Sequence, residues 1–290
     1  MTDSQKRSRP GLPLVSVVTV VFNGERHLEQ TILSVLNQSY PNVEYVVIDG
    51  GSTDGTPAIL ERYAERIDCL VSERDDGIYD AMNKGIALAH GELIALLNAD
   101  DYYEPDAIEQ VAEAYLESPC QGVYYGNNYV LQEDLELKYS FYPSLARCWL
   151  GMPVCHQAMF VHRQVYQEVG GYSLGYRFAA DYDFLLRSMR RQVPYLPVDA
   201  FLVNYRNTGL TSTNYAASLR EAKRINGDHF GTLSLPHAKY LAGYYKTLTL
   251  FWLQKAIKAL LGEKLLDRLR LWYLKLFIAK ERHGSGPGER

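Results

Sequence analysis

Cysteine is scarce in this chain of 290 residues. Cys69, Cys120, Cys148 and Cys155 show no CxxC spacing and no Cys/His cluster. No zinc site is therefore read, and reduced thiols in a cytoplasmic protein are the expectation. Long apolar runs are missing too. No segment offers ~20 uninterrupted apolar residues, so no spanning helix is expected. The run from Leu12 to Phe22 is too short to span and lacks a small-residue cleavage site, so it does not read as a signal peptide. Excess charge is also missing: the net charge of -4 argues against general nucleic-acid binding. No GxxxxGK(S/T) phosphate loop occurs.

What is there is an ordinary globular composition, 47% hydrophobic and 22% charged, enough to build a sizeable core. The small net charge hides an asymmetry. Residues 1–235 carry 19 Lys/Arg against 30 Asp/Glu, a balance of -11, whereas 236–283 carry 10 against 3, a balance of +7. A basic C-terminal block on an acidic body points to an anionic surface as partner.

The first half alternates strand and helix. VSVVTVVF (15–22), VEYVVID (43–49), CLVSE (69–73) and ELIALLN (92–98) read as strands, the longer ones continuous enough to be buried on both faces. Leu28, Ile32, Val35 and Leu36 share one face of an intervening helix that Asn23 can cap. Thr56 as cap with Pro57 opens a second helix to Tyr63, Ile78 to Ala89 forms a third, and Pro105 opens a fourth. Such a βαβ series demands a mainly parallel, doubly wound sheet, with ligands bound beyond the carboxyl ends of the strands. After residue 120 the pattern becomes Tyr-rich and antiparallel, in GVYYGNNYV and LELKYSFY, and HQAMFVHR reads as another strand. A helix at 179–192, a late strand in PYLPVDAFLVNYR and a helix from Thr211 to Phe230 follow. Pro236 to Arg282 reads as two amphipathic helices, the second with Leu265, Leu269, Trp272 and Leu276 on one face. The expected organisation is a disordered 1–12, a catalytic domain over 13–235 divided near 118, helices over 236–282 and a flexible tail over 283–290.

Polar chemistry gathers where strands end. ALLNADDYY aims Asp100 and Asp101 off a buried strand. At ~4 Å and an effective dielectric of ~20, two such charges repel by about 4 kcal/mol, so water, a basic partner or a cation must compensate. Oxygen ligands of this kind suit Mg²⁺ or Mn²⁺ with a substrate diphosphate, although adjacent Asp residues also mark helix starts. Asp49 can accept from a planar imide N–H or cap the next turn. Asp76 can contact a ribose or base. Lys84 can reach a phosphate or Asp76, or simply pair with Asp80 one helical turn away. Asp181 sits at a helix start, as a general base for an acceptor hydroxyl or as a cap. His156 and Gln157, on the preceding strand, can line the acceptor site.

VSVVTVVFNGERHLEQTILSVLNQSYPNVEYVVIDGGSTDGT, followed by SERDDGIYDAMNKGIALAHGELIALLNADD, resembles glycosyltransferase family 2, over about residues 13–230. The resemblance implies a GT-A type fold and transfer of a sugar from a nucleotide-diphosphate donor, UDP- or GDP-linked, with inversion. By position it implies that Phe22 and Asp49 hold the base, that Asn23 and Lys84 are among the donor-binding residues, that Asp76 lies by the nucleoside, and that Asp100 and Asp101 contact ribose and metal. NADD has Asn98 where the family more often has Asp. AADYDF matches the family's Glu-Asp pair with Ala180 in place of Glu, leaving Asp181 as base. The acceptor is expected to be a glycan or a lipid-linked hydroxyl in cell-surface polysaccharide or glycolipid assembly, with the protein cytoplasmic and peripheral on the inner face of the cell membrane. Two other readings stay open: a catalytically inactive nucleotide-sugar binder or membrane adaptor, and a sugar-phosphate nucleotidyltransferase, which would need a basic Gly-rich loop where this chain has only Gly24.

Overall fold

The computed structural model describes residues 11–132, 136–207 and 214–261, together with 268 and 271. Its centre is a nine-stranded sheet in which strands β1 (Val15–Val21), β2 (Val43–Asp49), β3 (Cys69–Ser72) and β4 (Leu93–Asn98) lie parallel in the order β3-β2-β1-β4. All seven residues of β1 are buried. Val15, Val17 and Val21 face one core, while Val18 and Val20 face the other. This is the period of two expected when both faces of a strand are covered.

Helices α1 (Leu28–Leu36), α2 (Thr56–Tyr63) and α4 (Ala107–Glu117) pack on the first face through Leu28, Ile32, Ile59, Ile108 and Val111. Helices α3 (Ile78–Leu88), α5 (Arg163–Val169) and α6 (Ala180–Arg190) cover the second through Met82, Val165 and Phe184. The α1 stripe expected from sequence is the one buried, with Leu36 at its edge. Neither expected N-cap forms. Asn23 has φ 51 and bonds elsewhere, and α2 begins after Gly55, with Asp54 accepting from the Thr56 amide. Leu12, expected in the disordered tail, packs on the first core, and its carbonyl accepts from Asn42.

Beyond β4 the sheet changes character. Strand β8 (Met159–His162) runs antiparallel to both β4 and β6 (Val123–Gln132), and β7 (Leu137–Phe141) pairs antiparallel with β6. The long β9 (Tyr195–Arg206) returns parallel to β6 and carries the two-residue β5 (Tyr102–Tyr103) on its other edge. Periodicity could not show this, because β5 and β9 lie about a hundred residues apart in sequence. The HQA part of the expected strand is a 3₁₀ turn, His156–Ala158, that feeds β8.

Helix α7 (Tyr215–Phe230) packs on α6 and on α8 (Leu235–Leu261). The first half of α8 is anchored: His237, Tyr240 and Tyr244 are buried, and His237 Nδ1 lies 2.8 Å from Asn226 Oδ1. Further along, Leu250, Trp252, Leu253 and Leu260 are exposed. The C-terminal segment is thus partly packed on the body and partly uncovered. Among the described residues no helix is long and apolar enough to cross a membrane. The second expected amphipathic helix, with its Leu265 and Trp272, and the segments 1–10 and 283–290 lie outside the described residues.

Candidate active site

Register brings the polar strand ends together. Val21 pairs with Asp49, Val20 with Asn98, and Asp49 with Ser72, so the loops after β1, β2 and β4 leave the same end of the sheet side by side. The first two loops are zipped to each other. The Asn23, Gly24 and Glu25 amides donate to Ser52 Oγ, Thr56 Oγ1 and Asp54 Oδ2, at 2.7, 2.9 and 3.1 Å. In return Asn23 Oδ1 accepts from the Thr53 amide at 2.9 Å, and Glu25 from the Gly55 amide at 2.6 Å. Gly51 takes φ +83 in this hairpin of loops, a conformation open to glycine at no steric cost. Phe22 stands above it, 63% exposed. A large apolar ring left in water beside a polar loop is a surface for a flat ligand to stack on.

Asp49 is fully buried. Its carboxylate accepts from Ser52 N at 3.1 Å, from Ser52 Oγ at 2.5 Å and from Ser72 Oγ at 2.6 Å. The turn-capping role is therefore filled, and an incoming imide could reach Asp49 only by displacing a serine hydroxyl. Asp76 is exposed at the start of α3, its amide donating to Asp80. Lys84 does not reach Asp76. It pairs with Glu73 at 2.9 Å and Asp80 at 3.2 Å, the helical-turn alternative.

The two aspartates after β4 separate in role. Asp100 is partly exposed, whereas Asp101 is completely buried. Asp101 accepts from Gln157 Nε2 and, at 2.6 Å, from the Arg206 amide. Burial, with the Asp100 charge, pushes its carboxyl pKa well above the usual range, against the Arg206 amide, the Arg206 charge and Gln157. Arg206 is itself buried at the end of β9, where its guanidinium donates to the Asp100 carbonyl and to Gln30 Oε1. The expected sharing of one cation by both carboxylates is not the geometry found, because the carboxylate of Asp101 is turned into the protein. Gln157, expected on the acceptor surface, is 1% exposed and serves as a strut for Asp101, with the Cys155 thiol donating to its Oε1 at 3.0 Å.

Asp181 lies in the first turn of α6. Oδ1 accepts from Tyr79 Oη at 3.3 Å and from the Tyr182 amide at 2.9 Å, and Oδ2 lies 3.7 Å from His156 Nδ1. Burial, then the nearby Asp181 charge, raises the Tyr79 pKa far above its ordinary value, so Tyr79 stays a donor. Burial lowers the His156 pKa, against the pull of Asp181, so the imidazole is held neutral at pH 7. Its Nε2 is buried without a partner. Consecutive residues thus tie the two acidic centres together: His156 touches Asp181 and Gln157 touches Asp101.

Among the described residues no group of three His, Cys, Asp or Glu side chains gathers as a metal cage. Asp100 has the right donor chemistry, and Asn98 Oδ1, two residues before it, is a buried oxygen with no partner.

The parallel half of the sheet, the acidic turn after β4 and the carboxylate opening α6 are the features to set beside known proteins. Residues 16–181 match the family described as glycosyl transferase family 2, and the chain belongs to that family. It is 34% identical over 179 residues to a PGL/p-HBAD biosynthesis glycosyltransferase of Mycobacterium bovis, covering 60% of this chain and 69% of the relative. Among solved structures it is similar to residues 1–349 of S. aureus TarS in complex with UDP-GlcNAc, with TM-score 0.63, 16% identity and coverage of 80% and 73% of the two chains. Against the longer TarS chain it spans 44% of that length. It also resembles the Pyrobaculum calidifontis mannosyltransferase PcManGT in complex with GDP-Man and Mn²⁺, with TM-score 0.57, 19% identity and coverage of 91% and 80%.

Proposed function

We propose that this glycosyltransferase moves a sugar from a UDP- or GDP-linked donor to a hydroxyl of a glycan or lipid-linked acceptor, with inversion, in the assembly of cell-surface polysaccharide or glycolipid. The observation that carries the reading is the His156–Gln157 bridge, which holds the acidic donor turn and Asp181 in one fixed relation. The base stacks on Phe22 over the zipped loops, and Asp76 lies at the rim by the nucleoside. Asp100 would hold Mg²⁺ or Mn²⁺, which supplies charge neutralisation for the departing diphosphate. Asp101 fixes the turn from behind.

Asp181 takes the acceptor proton. Tyr79 and His156 fix its rotamer, and the neutral imidazole leaves the carboxylate free of a competing cation. Direct displacement by the acceptor oxygen then inverts the anomeric centre without an enzyme nucleophile. The relative named for PGL/p-HBAD biosynthesis and the neighbours solved with UDP-GlcNAc or GDP-Man support these substrate classes.

Lys246 and Lys255 beside the exposed Leu250, Trp252 and Leu253 suit contact with an anionic membrane surface, where a lipid-linked acceptor would lie. The test of the central reading is a thermal-shift screen of nucleotide sugars with and without Mn²⁺. A ligand at 100 times its Kd stabilises by about 2.7 kcal/mol. One nucleotide class should raise the melting temperature in the presence of metal. No shift with any donor, together with no donor consumption, would overturn the proposal.

A further inference from the structure

Ala180 is fully buried at the start of α6. The helix lacks a side-chain cap at its own Ala179. A carboxylate arrives from elsewhere. Glu221, on α7, accepts from the amides of Arg177 at 2.9 Å, Phe178 at 2.7 Å and Ala179 at 3.2 Å, the three residues leading into α6. Hydrogen bonds to an ionised acceptor are roughly twice as strong as neutral ones.

One turn further along α7, Arg224 donates to the Gly175 carbonyl at 2.8 Å and lies 4.5 Å over the Tyr176 ring. From the other side, Arg187 donates to the carbonyls of Val169 and Gly171, both at 2.7 Å. The approach to α6 is clamped at both ends, and Asp181 is only two residues past the last amide that Glu221 holds.

We infer that Glu221 is a positioning residue for Asp181, holding from α7 the backbone that leads into α6. The inference rests on the reading of Asp181 as base. Among the described residues the hydrogen bonds of Glu221 go to Arg177, Phe178 and Ala179 and not to the loops assigned to the donor, so its loss should spare donor binding. A base displaced by about 1 Å can lose a factor of ~10² in rate.

The experiment compares kcat and donor KM for wild type, Asp181→Asn, Glu221→Ala and Glu221→Gln, with melting temperatures as folding controls. Glu221→Ala is expected to lower kcat by ~10- to 100-fold with donor KM within about twofold. Glu221→Gln keeps one oxygen that can accept from the same amides and should recover part of the rate. If Glu221→Ala does not fold, Glu221→Gln alone carries the test, with reduced kcat at unchanged donor KM. Normal turnover in Asp181→Asn would remove the base reading, and this inference with it. An inactive Asp181→Asn beside wild-type kcat in the folded Glu221 variants would overturn the Glu221 assignment alone. So would a rise in donor KM that matches the loss of rate.

Discussion

Replacing Asp101 separates two functions that adjacent aspartates would otherwise share. Asp101→Ala leaves two buried donors, Gln157 Nε2 and the Arg206 amide, without their acceptor. Each orphaned buried group costs ~1–3 kcal/mol, so the pair costs ~2–6 kcal/mol. Relief of the desolvation of Asp101 itself offsets part of that, and a net loss of ~1–4 kcal/mol is expected. Asp101→Asn keeps one acceptor oxygen and should fall at the low end of that range. Asp100→Asn replaces a partly exposed carboxylate and should cost less stability than Asp101→Ala.

Metal-dependent binding should run the other way. Titration of Mn²⁺ with a nucleoside diphosphate by calorimetry should show affinity lost in Asp100→Asn and retained within a few-fold in Asp101→Asn. Urea denaturation supplies the stability half of the comparison. The reasoning fails if Asp101→Asn unfolds like wild type yet loses Mn²⁺ affinity as Asp100→Asn does, because Asp101 would then be a ligand and not a strut.

Asp181→Asn should retain donor affinity while kcat drops by ~10²-fold or more, checked by calorimetry beside initial rates. Burial pushes the Asp183 pKa up, but the His229 and Arg187 hydrogen bonds, 3.0 and 2.7 Å long, outweigh it and hold the group below its ordinary 3.8. A depressed carboxylate stabilises the fold above its unfolded pKa, and that contribution is lost as pH falls through the lower folded value. Acid unfolding should therefore steepen below about pH 3.8 and lose that component in Asp183→Asn, measured by circular dichroism. Truncation after Thr249 spares the buried His237, Tyr240 and Tyr244 but removes Leu250, Trp252 and Leu253. Sedimentation with anionic vesicles should fall while the melting temperature holds; a full-length chain that never sediments would refute the membrane contact.

The local pattern was decisive for the first hundred residues. β1, β2 and β4 are dominated by β-branched and aliphatic residues, as suits strands covered on both faces. Their alternation with amphipathic helices dictated a parallel sheet, and the parallel sheet put Phe22, Asp49 and Asp100 at one end. Asp181 was legible because it opens a helix in a recognisable hexapeptide.

Tertiary contact decided the rest, because the partners lie far apart in the chain. Asp101 meets Gln157 and Arg206, and the loop before Asp181 meets Glu221, across separations of 56, 105 and 42 to 44 residues. A carboxylate reads the same in sequence whether it points to a crevice or into the core. Only the closure of β9 against β5 settled that Asp101 turns inward, and only the packing of α7 on α6 brought Glu221 to the amides before Asp181. Periodicity reports which face of an element is apolar; it carries no information on which distant element supplies the hydrogen bonds that a buried charge requires.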